Sequence, residues 1–153
     1  MSTKILESLA FSEAKAQLSH LMTAVVHDHC PRVVDRHQGR EEMLLVGRDD
    51  LLAMLEPFQF EPKASFSEGE FILRLPELGL IAGGESFDEA LEELVELAES
   101  YAEQHFSRLP SYMETDRRQQ LPWVARVALT APQDRQHLFT AVPADQPVLQ
   151  TAA

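Results

Sequence analysis

Cysteine is nearly absent: Cys30 stands alone among 153 residues. A single thiol excludes an internal disulfide framework and suits a reducing compartment. Long apolar runs are missing too, so no segment reads as a bilayer span. The opening Met1-Ser2-Thr3-Lys4-Ile5 has none of the apolar stretch of a secretion signal. The expectation is a cytoplasmic protein without a membrane partner. Positive charge is scarce, with 13 Lys and Arg against 25 Asp and Glu and a formal net charge of −12. That balance argues against a dedicated nucleic-acid binder, which needs clustered Lys and Arg to meet phosphates. There is no glycine-rich phosphate loop, no nucleophile elbow and no signature pairing a nucleophile with its base. No catalytic residue and no cofactor is therefore expected. Nor is a metal: His20, His27, His29 and Cys30 crowd one helix end, but structural zinc wants four N or S ligands in recognisable pairs. Histidine near a helix C-terminus is explained by the dipole alone.

What is present is enough apolar material, 44% of the residues, for one sizeable core or two small ones. The charge is also uneven. Residues 1–56 hold six Lys and Arg against nine acids, and residues 57–153 hold seven against sixteen. The first part has room for a local basic patch, whereas the second is suited to avoid nucleic acid or to meet a basic protein.

Hydrophobic spacing gives the element order. Ile5 to Leu9 reads as a short strand. Ser12 is a plausible N-cap with Glu13 in the first turn, and Ala14, Leu18, Leu21, Met22, Val25 and Val26 recur at helical spacing, predicting one helix of about four turns. Pro31 cannot continue it. Val33-Val34 centre a strand, His37-Gln38-Gly39-Arg40 reverses the chain, and Met43-Leu44-Leu45-Val46 returns, with Gly39 suited to a positive φ. Gly47 breaks the strand, and Asp49 and Asp50 open a short helix carrying Leu51, Leu52 and Leu55. Pro57 to Ser67 shows no period and is read as a linker or connecting loop. Phe71, Leu73 and Leu75 alternate as in a half-buried strand, Pro76-Glu77-Leu78-Gly79 turns, Leu80-Ile81-Ala82 returns and Gly83-Gly84 ends it. Ser86 and Glu89 form an S-x-x-E capping box. It opens a long helix with a buried stripe of Phe87, Ala90, Leu91, Leu94, Leu97, Ala98 and Tyr101. Pro122 and Pro132 each suit the first turn of a helix, ending at Leu129 and Phe139. From Val142 the tail is predicted to be mobile unless a partner orders it.

Residues 4–55 resemble the Phd/YefM antitoxin module. The matching segments are Phe11-Ser12-Glu13-Ala14-Lys15-Ala16-Gln17-Leu18, Pro31-Arg32-Val33-Val34-Asp35-Arg36-His37-Gln38-Gly39-Arg40, and Leu44-Leu45-Val46 running into Asp49-Asp50-Leu51. The order strand, helix, hairpin, helix agrees. The resemblance implies a homodimer, or a higher even oligomer, that holds operator DNA with the start of its first helix and nearby basic hairpin residues. It also implies a segment beyond the module that wraps and silences a toxin, with a RelE/ParE-type ribonuclease as the expected partner. Lys15 stands where the family has Arg, Glu41 and Glu42 would repel phosphate, and an aromatic common near Leu51 is absent. Residues 69–105 are similar to HicB-type antitoxins, through Pro76-Glu77-Leu78 and Gly84-Glu85-Ser86-Phe87-Asp88-Glu89-Ala90-Leu91.

The expectation is an α+β protein: residues 1–56 a dimerising, DNA-binding module, 64–107 a small strand–strand–helix domain, and 108–153 a helical segment and tail that contacts the toxin. Lys15, Arg32, Arg36, His37 and Arg40 are the candidate DNA contacts; twofold symmetry would double this patch to match two half-sites. The alternative is that Arg36 and Arg40 merely solubilise a hairpin tip. The long helix carries seven acids and no Lys or Arg, whereas solvated helix faces usually mix signs. Glu92, Glu96, Glu99 and Glu103 are the candidate toxin contacts, with Trp123 as an apolar anchor; the alternatives are an ordinary solvated face and a Trp packed on the protein's own core. The competing function is an acidic dimeric scaffold without specific DNA binding. A third is an enzyme built on the second domain, with a few carboxylates as its machinery.

Overall fold

The structure, a computed structural model, describes residues 5–140. Its chain divides between Met54 and Leu55 into two units, each with its own three-stranded sheet and core. The tail beginning at Val142 lies outside the described residues.

In the first unit β1 (Glu7–Ala10) pairs in parallel with β2 (Arg32–Arg36), which pairs antiparallel with β3 (Glu41–Leu45). The predicted single helix is two: α1 (Phe11–Ala16) and α2 (Leu18–Val26), parted at Gln17 with φ −118° and ψ 25°. Ser12 is not the N-cap. β1 runs to Ala10, which is paired with Asp35 and still extended, so the helix starts with no intervening loop and Ser12 falls inside its first turn. A parallel β1–β2 pair requires a crossover connection, which α1 and α2 supply. His37-Gln38-Gly39-Arg40 forms the turn, and His37 and Gln38 take positive φ as well as Gly39. The return strand begins at Glu41 rather than Met43. α3 (Arg48–Leu55) follows with Asp49 and Asp50 in its first turn. The core is small: Ala14, Leu21, Val25 and Val34 are buried, with Leu9 and Leu45 packed against them.

The second unit begins with a correction. Lys63–Ser67, read as part of a loop, is a strand, β4, antiparallel to β5 (Glu70–Leu75), which pairs with β6 (Leu80–Gly84). Ala64 and Phe66 alternate with Lys63, Ser65 and Ser67, and the register sets them opposite Leu73 and Phe71. The period is there, but the small polar residues hide it. Glu68 and Gly69, both at positive φ, supply a two-residue hairpin turn. Gly83 and Gly84 are the last two residues of β6 rather than a break after it, paired with Ile72 and Phe71, and a Cβ at Gly84 would come within 2.6 Å of the Ala90 backbone nitrogen. That bare backbone lets the strand abut the long helix α4 (Phe87–Ser107). Ser86 caps α4 by accepting from the Glu89 amide at 3.2 Å, while the Glu89 carboxylate accepts from the Glu85 amide at 2.9 Å.

Beyond α4 come the short α5 (Leu109–Tyr112), a 3₁₀ segment Asp116–Gln120, α6 (Leu121–Leu129) and a second 3₁₀ helix, Pro132–Leu138, in place of the predicted α-helix. One core unites Phe60, Leu73, Leu75, Ala90, Leu94, Ala98, Val124, Val127 and Phe139. At the far end of α4 the buried His105 donates from Nε2 to the Arg117 carbonyl at 3.1 Å, tying the helix to the segment that follows. Burial lowers the pKa of Arg126, with Glu56 opposing; its guanidinium donates to the Phe58 carbonyl at 2.7 Å. Among the described residues no helix is long and apolar enough to cross a membrane.

Candidate functional site

The basic residues of the first unit do not form one open patch. Arg32 and Arg36 occupy opposite ends of β2, four residues and therefore roughly 13 Å apart along an extended chain. Arg32 is half-buried and turned inward, bonding to the Glu7 carboxylate at 3.2 Å and to the carbonyls of Cys30 and Pro31. Arg36 lies at the hairpin, its Nε 2.6 Å and its Nη2 2.5 Å from one carboxylate oxygen of Glu41, with its guanidinium 5.8 Å from the centre of the Phe11 ring. His37 sits 4.0 Å from the same Glu41 oxygen. Cross-strand pairing makes this unavoidable, since Arg36 and Glu41 are register partners. Lys15, in the last turn of α1, and Arg40, in the hairpin turn, are exposed and have no ion pair among the described residues. The structure thus gathers Arg36, His37 and Arg40 at one tip and sets Arg32 apart. The sequence sets Glu41 as a neighbour of the hairpin arginines as well as a source of repulsion to phosphate, and the structure bonds it to Arg36.

The same unit leaves much of its apolar material outside. Leu18, Met22 and Val26 stand one turn apart along α2 at 57%, 63% and 45% exposure, and Phe11, Met43, Leu44 and Met54 are about half exposed. The apolar residues that recur at helical spacing thus divide into an inner row of Leu21 and Val25 and an outer row of Leu18, Met22 and Val26 facing away from the core. On α2 the three exposed side chains follow one another along a single face of the helix.

His29, at φ +54°, sets its Nδ1 2.9 Å from Asp50 in α3, which ties the end of α2 to α3. Among the described residues no three His, Cys, Asp or Glu side chains group as metal ligands.

In the second unit α4 sorts its own acids. Glu89 and Glu93 accept from backbone amides, of Glu85 and Gly83, and Glu99 pairs with Arg135 at 2.9 Å. Asp88, Glu92, Glu96 and Glu103 have no ion-pair partner among the described residues. Glu103 borders a hollow of about 360 Å³ with Phe106, Ala128 and the Glu99–Arg135 pair. Trp123 is not a free anchor: its Nε1 donates to the Gln59 carbonyl at 3.2 Å, and its ring meets Phe58 edge-on at 5.2 Å.

Comparison with known proteins agrees with this architecture. Residues 5–140 match the model of a PHD-like family described as antitoxin of toxin–antitoxin, RelE/RelB, TA system. A crystal structure from Syntrophomonas wolfei subsp. wolfei, described as an antitoxin part of a toxin/antitoxin system, superposes with a TM-score of 0.75 at 20% identity, covering 87% of this chain and 96% of that one. At that identity the likeness is one of fold. No curated protein matches by sequence.

Proposed function

The chain belongs to the PHD-like antitoxin family of toxin–antitoxin systems, and on that premise we propose that it is a dimeric antitoxin that neutralises a RelE/ParE-like ribonuclease by direct binding and represses its own operon. The first unit is its Phd/YefM-like dimerisation and DNA-binding module, and the second, HicB-like in its strands and capped helix, carries the toxin. The observation that carries this reading is the uncovered apolar face of Leu18, Met22 and Val26 beside a core of only four buried residues. Such a unit gains most of its stability from a second surface, and a twofold copy of itself supplies one.

Dimerisation doubles the hairpin tip. Arg36, His37 and Arg40, together with Lys15 of α1, meet operator phosphates, and Arg32 supports the strand that presents the hairpin. The overall charge is unfavourable for DNA, so specificity depends on two tips matching two half-sites. Toxin binding is steric and electrostatic: Glu92, Glu96 and Glu103 offer carboxylates to a cationic protein, while Glu99 and Trp123 hold the surface in shape. No bond is made or broken; the antitoxin acts by occupancy.

The test is a light-scattering measurement of mass together with a salt-titrated gel shift on DNA from upstream of the gene. The expected result is an even oligomer that prefers this DNA over random duplex. A monomer at high concentration, or no preference, overturns the reading; an oligomer without preference favours the acidic scaffold.

A further inference from the structure

A hollow of about 620 Å³ lies along α4, between the helix and the 3₁₀ segment beginning at Pro132. Its near wall is Asp88, Glu92 and Glu96, spaced four residues apart and therefore aligned on one face at a rise of about 6 Å per step. Its floor is apolar, from Leu91 and Val95. These three carboxylates differ from the other acids of α4. Glu89, Glu93 and Glu99 each satisfy a donor of the protein itself, whereas the groove trio has no cation within reach among the described residues. Arg135, the arginine on the facing segment, is committed to Glu99 and to the carbonyls of Val127 and Thr130. Like charges at one-turn spacing repel one another along a helix. The chain thus keeps, beside an apolar floor, a repulsive row that it does nothing to neutralise.

We infer that this groove is the docking site for a basic helical segment of the toxin, one that presents Lys or Arg at one-turn spacing around an apolar residue. The inference rests on the antitoxin reading and narrows it: of the unpaired acids of α4 it keeps Glu92 and Glu96, adds Asp88 and leaves out Glu103, which borders a different hollow. Three arguments select this occupant. A helix laid along α4 repeats its cations at the same rise as the carboxylates, so three ion pairs form in register. The apolar floor between the carboxylates and Pro132 accepts an aliphatic residue or the stem of a lysine. Finally, the chain has little to offer itself: residues 141–153 contain no Lys or Arg, and a second copy brings another −12 charge.

The groove is tested with a synthetic helical peptide bearing Lys at i, i+4 and i+8 and Leu between them, titrated into the isotope-labelled full chain. Amide shifts should concentrate at residues 88–96 and 132–136. The Glu92→Lys/Glu96→Lys variant should weaken binding about tenfold or more, and reversal of the exposed Glu114 should change it less than about twofold, as expected for close rather than distant charges. Both sites are exposed, and circular dichroism confirms that the variants fold. Shifts spread over all acidic segments, or an equal loss with Glu114→Lys, overturn the proposal. So does salt-sensitive self-association removed by the same double variant, which would seat a second copy in the groove. Co-expression with the product of the adjacent gene separates the two readings. A toxin retained equally by wild type and double variant sinks the groove and leaves the antitoxin standing. A wild type that retains no such protein sinks the antitoxin reading, and the groove's toxin with it.

Discussion

The two units solve the same problem to different degrees. The second closes its core within one chain: a capped 21-residue helix lies on a sheet, and residues from both ends of the unit, Phe60 and Phe139, complete it. Among the described residues, the apolar core of the first consists of Ala14, Leu21, Val25 and Val34, and seven large apolar side chains of its helices and of β3 are about half exposed or more. The difference teaches that an unfinished core can itself be a functional feature. Under the proposed dimerisation, a unit that stays short of self-sufficiency would couple its folding to its assembly, and DNA occupancy would then follow concentration.

The contrast can be broken most sharply at the second core. Leu94 is fully buried at the centre of α4, so Leu94→Ala should cost about 2–5 kcal/mol in urea unfolding. A much smaller loss would mean that this core is looser than its burial indicates. The first unit should respond to a different probe. Leu18→Asp/Met22→Asp removes nothing buried within the chain, yet it should weaken self-association by about tenfold or more in sedimentation, since buried charge without a partner is costly. An unchanged mass would show that α2's outer face is not the contact. Ser86→Ala should lower stability by about 1 kcal/mol through the lost cap, read as a lower melting temperature with α4 otherwise intact. The smallest expected effect sharpens the comparison at the hairpin. Glu41→Gln releases Arg36, so affinity for upstream DNA should rise a few-fold, and the salt dependence should steepen by about 0.9 for each additional phosphate neutralised. Weaker binding after this change would mean that Glu41 holds Arg36 in its working position rather than withholding it.

Much of the second unit was legible because its signals are local and agree with one another. The alternation of Phe71, Leu73 and Leu75, the turn at Gly79, the Ser86–Glu89 box and the period of α4 all point to one answer, and the strand, turn and helix lie there. β4 was missed because Lys63, Ser65 and Ser67 carry no strand propensity of their own; pairing with β5 makes them a strand. The break at Gln17 had no proline or glycine to announce it. At the candidate sites, residue types were legible but their availability was not. Arg32, Arg36 and Glu99 were recognisable as charges, and only the fold revealed that each already has a partner.

What the amino-acid order determined by itself is whatever depends on neighbours within a turn or two: the capped helix, the hairpins, the division of charge between the halves, and the family likeness that these produce. What the tertiary structure alone decided is which of those residues are spent. A guanidinium answered by a carboxylate five residues away, a tryptophan tethered across sixty-four residues to Gln59, and an apolar stripe split into a buried and an open side are outcomes of three-dimensional placement. The reason is physical: electrostatic and apolar contacts act over a few ångströms of space, and separation along the chain does not measure that distance.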